Sequence, residues 1–347
     1  MQGKMMKALV HTALSKFEYK DVPMPQVGDS DVLVRVKAVG ICGSDLHGFT
    51  GETPRRIPPC IMGHEGAGLV ESVGKDVPNL AVGDRITFDS TVYCNQCPPC
   101  CRGRINLCDN RRVLGSSHKT WRKDGCMAEF VVMPYWITYR VPDSVSFEEA
   151  ALVETAAVGM HAACITPIEV NDVVAVIGAG PIGQFTIQAA RVRGAGSVVA
   201  LDVRDERLAL ARELGASLTI NPAQEKVEAV LQKAFGRPDV DVVLEAVGLP
   251  SALELAWKLA KKKGNITLIG NVAPVPFPLP EVVVRELTIR GSASSSGELR
   301  ACLDLMAQGR IQAKPLISRI MPLAEGQLAF DTLLRGDPTL MKVLLQV

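Results

Sequence analysis

An α/β protein is predicted, with a small β-rich, barrel-like domain joined to a doubly wound parallel sheet, and three observations predict it. The chain has 347 residues, past the size at which one hydrophobic core keeps growing, so two domains are expected. Residues 1–152 consist of short strand-like runs broken by glycine and proline, the texture of a β-rich domain. Residues 153–286 alternate strand, turn and helix, the rhythm of parallel strands covered on both faces. The mixed remainder, 287–347, is assigned back to the first domain.

In the first domain the runs 32–39, 66–73 and 128–133 carry the strand pattern. In the second, 173–177 is a continuous apolar run, as a strand buried on both faces requires. A helix follows over 184–193, a strand over 197–201, and an amphipathic helix over 204–214 that stops at Gly215. Further strands are expected at 240–244 and 266–269, with a helix over 251–262 between them. The lysines 261–263 read as the solvated last turn of that helix, where cations suit the negative end of the dipole. The alternating Pro274, Pro276, Pro278 and Pro280 read as an extended loop or edge segment, because proline cannot donate to a ladder.

Composition removes several function classes. Hydrophobic residues make up 47%, charged residues 22% and the formal net charge is +1, so neither disorder nor an anionic nucleic-acid or membrane partner is indicated. Aromatic residues are only 5%, few for stacking single-stranded bases. The first 20 residues hold Lys4 and Lys7 without an apolar core, unlike a signal peptide. The uncharged stretch 173–190 approaches membrane-span length, but its glycines, Pro181 and glutamines suit a strand, a turn and a helix better. A soluble, cytoplasmic protein is expected. Ten cysteines in so large a chain, half of them at metal-ligand spacing, fit reduced thiols better than a disulfide scaffold.

Gly178-Ala-Gly-Pro-Ile-Gly183 matches the GxGxxG pattern of a Rossmann dinucleotide site. It follows a buried strand, opens a helix, and precedes Asp202 at the end of the next strand, which is the context the fingerprint requires. Gly178 makes the tight turn, Gly180 admits the pyrophosphate and Gly183 allows close packing. Pro181 and Ile182 complete the turn onto the helix N-terminus, where N–H groups favour an anion. Asp202 would accept the ribose hydroxyls and repel a 2′-phosphate, which favours NAD over NADP. Arg204 and the nearby Arg207, counted with the cofactor-binding residues, weaken that exclusion.

Cys94, Cys97, Cys100 and Cys108 form a compact four-thiol set. A pair of disulfides is the competing reading, but two successive Cys-x2-Cys steps strain disulfide geometry and suit a closed structural zinc site. Cys101 is out of step with it. A second set is scattered: Cys42 in Cys42-Gly-Ser-Asp-Leu-His47, and His64-Glu65 in Gly63-His-Glu-Gly-Ala-Gly68.

Taken in order, these motifs, with Gly74, Glu154-x4-Gly159-x-His161 and GxGxxG, resemble the zinc-dependent medium-chain alcohol and polyol dehydrogenases over essentially the whole chain. The resemblance implies a GroES-like first domain, a Rossmann domain, and an active site in the cleft between them. It implies a catalytic zinc on Cys42 and His64 and a structural zinc on the four cysteines. Glu65 would be a nearby ligand or a switchable group, and Glu154, where many relatives carry cysteine, would bind zinc directly or through water. Asp45 would orient His64. Cys60, Cys126, Cys164 and Cys302 match no ligand motif and read as buried thiols, and His11, His118 and His161 as structural.

The implied reaction is hydride transfer between a secondary alcohol and NAD, giving the ketone. Zinc would act as Lewis acid, and Ser44 would take the alcohol proton and pass it through the cofactor ribose towards His47. Ser44 reads otherwise as an ordinary turn serine. Glu154 and the Cys-Gly-Ser-Asp-x-His motif point to the polyol branch. That branch commonly carries an aromatic–Arg–aromatic cluster after the last sheet strand, where this chain has Gly291-Ser-Ala-Ser-Ser-Ser-Gly297. Polyols, sugar derivatives, threonine-type amino alcohols and small diols therefore all stay open. Two further readings stand beside these: an NADPH-linked ketone reductase and a non-enzymatic nucleotide sensor. Relatives form dimers or tetramers through sheet edges, so a homo-oligomer is expected.

Overall fold

The structure, a computed structural model, describes residues 4–271, 274 and 276–347. The chain divides into one unit of Met1–Glu154, Ser295–Gln308 and Ala313–Val347, and a second of Thr155–Ser294 and Gly309–Gln312.

In the second unit six parallel strands lie in the spatial order Leu218–Ile220, Ser197–Leu201, Val173–Ile177, Val240–Glu245, Ala260–Leu268, Thr288–Gly291. Numbered along the chain this is 3-2-1-4-5-6, the doubly wound order of dinucleotide-binding sheets. Val173–Ile177 is central and every residue in it is buried, which is why it is apolar without alternation. Helix Pro181–Val192 begins on a proline, where a missing N–H costs nothing.

Three expectations change here. The segment assigned to the first domain from residue 287 returns to it only at Ser295, because Thr288–Gly291 pairs with Ala260–Leu268 as the edge of the second unit's sheet. The helix expected over 251–262 ends at Leu259, and the three lysines lie in strand Ala260–Leu268. Ala260 is fully buried and pairs with Val240, and Lys261 Nζ stands 2.5 Å from Asp241 Oδ1. Burial of the alanine and an acid partner for its neighbour outweigh the helix-end pattern. In the proline-rich stretch, Pro274 and Pro276 are exposed, but Pro280 sits in the first turn of a short helix, Leu279–Val284.

In the first unit a seven-stranded sheet is built around Asp31–Gly40. That strand pairs antiparallel with Glu65–Val73 on one side, and on the other with Lys342–Gln346 and Phe130–Pro134. The core beneath it includes Phe49, Phe88, Met127 and Phe330. A three-stranded sheet of Lys16–Pro23, Met5–Ala13 and Cys60–Ile61 and a two-stranded sheet of Thr91–Val92 and Arg112–Val113 complete the strands of the β-rich unit. No helix among the described residues is long and apolar enough to cross a membrane.

Candidate metal and dinucleotide sites

Strand register gathers the scattered set. Gly40, the last residue of the central strand, faces Glu65 on one neighbour and Leu344 on the other. Glu65 therefore opens one strand, Lys342 opens another, and Cys42 follows two residues after the central strand ends. Cys42 caps helix Gly43–Phe49, its backbone N–H donating to Asp45 Oδ2 at 3.1 Å. The ligand atoms of Cys42, His64 and Glu65 all lie within 4.8 Å of one another.

Glu154 is not in that group of three; its Oε1 accepts from Ser90 Oγ at 2.7 Å. Burial pushes its carboxyl above the usual range, against the attraction of His64. Glu65 is ion-paired with Lys342, whose Nζ stands 2.5 Å from Oε2 with both side chains buried. Asp45 is fully buried, with Oδ1 2.8 Å from Arg56 Nε and 3.4 Å from His64 Nδ1. Burial opposes ionisation of Asp45, but Arg56 and His64 outweigh it and hold the carboxyl well below its ordinary range. His64 in turn is held above its usual range by Asp45, against the effect of burial. A metal at His64 thus competes with a proton that Asp45 favours.

Ser44 and His47 sit on the same short helix. Ser44 Oγ accepts from Arg56 Nη2 at 3.2 Å, and His47, half exposed, places Nδ1 2.6 Å from Glu52 Oε2. Arg56, Lys342 and Ser90 escape sequence reasoning. Arg56 sits in a Pro-Arg-Arg-Ile turn that reads as solvated, Lys342 is 277 residues from its partner, and Ser90 is an isolated serine.

The four-thiol set is brought together as expected. Cys97 Sγ lies 3.4 Å from Cys100 Sγ and 3.8 Å from Cys108 Sγ, all four ligand atoms fall within 4.8 Å, and none is in a disulfide. Four sulfurs at about 2.3 Å from a tetrahedral zinc stand about 3.8 Å apart, so the set fits that ion. The Gln96 backbone N–H draws Cys94 down to about 6, and burial pushes Cys100 up to about 12. Cys101 is exposed and donates to Gln96 O at 3.6 Å. Of the other thiols Cys60, Cys126 and Cys302 are buried, but Cys164 is exposed, a correction that follows from its place in the last turn of helix Val153–Ile165.

His11 is buried beside Phe17 and Phe49, His118 packs on Trp121, and His161 is buried.

In the second unit a Cβ on Gly183 would stand 1.8 Å from Gly178 O, so the helix can pack there only on glycine. A Cβ on Gly180 would meet nothing nearer than Arg207 Nη1 at 3.8 Å, which leaves the turn open to a pyrophosphate. Pro181 and Ile182 begin the helix. Asp202 accepts from Ala179 N at 2.8 Å and Arg204 N at 2.9 Å, and Arg207 Nη1 lies 3.4 Å from its Oδ2. Arg207 Nε is buried without a hydrogen-bond partner among the described residues. The residues present therefore fit a dinucleotide.

The chain is similar to known proteins along most of its length. Residues 28–143 match the alcohol dehydrogenase GroES-like domain and residues 181–308 the zinc-binding dehydrogenase family. The chain is 32% identical to sorbitol dehydrogenase of Bacillus subtilis over 344 residues, covering 98% of this chain and 96% of that protein. It is 36% identical to L-idonate 5-dehydrogenase of Vitis vinifera over 325 residues, covering 90% and 87%. A solved structure from Sinorhizobium meliloti 1021, bound to NADP, is 32% identical and superposes with a TM-score of 0.90 over 99% of this chain and 100% of that one. The protein belongs to the zinc-dependent alcohol dehydrogenases, oxidoreductases that interconvert alcohols and ketones. Within that family it belongs to the polyol dehydrogenase branch.

Proposed function

We propose that the chain oxidises a secondary hydroxyl of a polyol or sugar derivative to the ketone, reversibly, with NAD as hydride acceptor. The observation that carries the reading is the convergence of Cys42, His64 and Glu65 within 4.8 Å, beside a serine and a histidine on one helix. Cys42 and His64 would hold a catalytic zinc, with Glu65 and Glu154 as further or alternating donors, and Cys94, Cys97, Cys100 and Cys108 a structural zinc. When bound, zinc supplies Lewis-acid polarisation of the hydroxyl oxygen, and the nicotinamide supplies the hydride acceptor.

The chain's own residues handle the proton. Ser44 Oγ accepts it from the substrate hydroxyl while releasing its own hydrogen onward. His47, whose ring reaches solvent and rests against Glu52, returns the proton to water. Asp45 keeps the His64 ring turned so that Nδ1 faces a carboxylate, leaving the other nitrogen for metal. Gly178, Gly180, Pro181, Ile182 and Gly183 would receive the pyrophosphate, and Asp202 with Arg207 the adenosine ribose.

Asp202 supports NAD. The Arg207 guanidinium 3.4 Å from Asp202, and the NADP bound by the Sinorhizobium meliloti neighbour, favour a second reading in which NADP is also taken. The remaining assignments are a cytoplasmic protein, supported by ten free cysteines, and a dimer or tetramer. The oligomer is supported by exposed Phe277, Leu279, Val283 and Val284, close in sequence to the sheet-edge strand Thr288–Gly291.

The test is turnover of polyols, sugar acids, sugar phosphates, threonine and small diols with NAD or NADP, followed by reduced-nicotinamide absorbance. NAD-linked turnover that disappears on metal removal and in Cys42→Ala is expected. Turnover with NADP alone overturns the cofactor assignment. Silence with both cofactors, zinc and nucleotide being bound, overturns the substrate class.

A further inference from the structure

We infer that Arg56 is a positioning residue that ties the relay serine to the metal-binding histidine; the inference rests on the function proposed above. The side chain is 5% exposed, and a guanidinium so placed costs free energy unless it is paired. It is paired three ways. Nε stands 2.8 Å from Asp45 Oδ1, an ion pair rather than a well-aligned hydrogen bond, and Nη2 donates to Ser44 Oγ at 3.2 Å. The same Nη2 lies 3.1 Å from His64 Nδ1.

The helix that carries Ser44 and Asp45 is shaped to receive it. A Cβ on Gly48, one turn after Ser44, would stand 2.5 Å from Arg56 Cδ and 2.6 Å from its Cβ. A side chain at 48 would push the arginine out.

Hydrogen-bond valence then specifies what Arg56 does. A guanidinium only donates. With a metal on the other ring nitrogen of His64, Nδ1 carries a hydrogen and needs an acceptor, which Asp45 Oδ1 supplies. Nη2 cannot donate to a nitrogen that carries a hydrogen, and Ser44 Oγ is its remaining partner among these groups. One lone pair of the serine oxygen is then occupied by Arg56. The other stays free to accept the substrate proton, and the serine hydrogen is directed away from Arg56. In the metal-loaded site the serine is therefore held by Arg56, which connects it to the Asp45–His64 pair.

The experiment uses the full chain loaded with cobalt(II) or zinc(II), as Arg56→Met and Arg56→Lys, each in the parent and the Ser44→Ala background. Arg56→Met is expected to bind nucleotide as the parent does and to shift the visible cobalt bands, because Asp45 now turns wholly to His64. Its kcat should fall roughly 10–100-fold, the usual cost of losing an outer partner of a metal site, with KM little changed. In Ser44→Ala the same substitution should add little further loss, since the two residues act as one unit. Arg56→Lys keeps a charge for Asp45 but lacks the fork. It should restore the cobalt bands and not kcat, and it carries the test should the methionine variant fail to fold.

Unshifted bands with unchanged kcat overturn the inference, as does an equal kcat loss in both serine backgrounds. A parent that binds cobalt and nucleotide but turns over no alcohol overturns the proposed function instead. The cobalt bands then decide on Arg56 alone.

Discussion

Lys342 Nζ lies 2.5 Å from Glu65 Oε2 across two neighbours of the central strand, and the two side chains are 3% and 1% exposed. Lys342 also donates to Ile41 O at 3.3 Å, so it anchors the segment that leads into Cys42. Removing one partner of a buried pair strands the other charge. Lys342→Met is expected to lower stability by about 3 kcal/mol in denaturant unfolding, and Lys342→Arg by clearly less. Equal stability of parent and methionine variant would show that Glu65 finds another partner.

Asp89, fully buried after strand Arg85–Phe88, accepts from Thr91 N at 2.7 Å, with Ser295 Oγ 3.4 Å away. Burial pushes its carboxyl up to about 7 from an ordinary 3.8, with Glu154 adding to the shift. The native state therefore holds the proton that the unfolded chain has released. Stability from this group is fully present below the unfolded pKa and is lost as pH rises from there to about 7. Asp89→Asn should flatten that slope and be more stable than the parent at pH 8, by on the order of a few kcal/mol. Parallel stability–pH curves for the two proteins would contradict this.

The four-thiol lobe and the Cys42 group are separate donor sets. Cys100→Ser is expected to lose one equivalent of zinc by elemental analysis and to keep the other, with the lobe opening to protease. Loss of both equivalents would mean that the lobe supports the second site.

Asp202 accepts one backbone N–H from its own turn, that of Arg204, and one from the glycine turn, that of Ala179, so its carboxylate is already oriented towards the cofactor loop. Asp202→Ser should move the kcat/KM ratio of NADP to NAD upward by roughly tenfold or more, because a hydrogen bond to a charged group is worth about 1.5–3 kcal/mol. A ratio that stays put would assign cofactor choice to Arg207 and its neighbours instead.

Much of the Rossmann sheet is legible in the amino-acid sequence. The strands expected at 173–177 and 197–201 coincide with the observed bounds, because a strand covered on both faces must be apolar throughout. The helix expected over 251–262 is too long because a run of lysines suits a helix end and a strand entry alike. What separates the two is Asp241, twenty residues earlier in the chain. Cys164 departs from expectation for a similar reason, since which face of its helix is covered is not written in its neighbours.

Chemistry that is local is encoded locally. Four cysteines at close spacing and three glycines in one turn find their partners through nearby backbone geometry, and the acid at the next strand end reaches that turn through a single strand–helix–strand step. The remainder depends on how the sheets pack. Cys42, His64 and Glu65 meet because Gly40 sits between two strands in one particular register. Of the two cations that balance the site, Lys342 lies 277 residues from Glu65, while Arg56 lies 8 and 12 residues from His64 and Ser44 but in a turn whose sequence reads as solvated. A buried charge is tolerated only where its counter-charge has been delivered to it, and that delivery is a property of the packed sheet rather than of any segment of sequence.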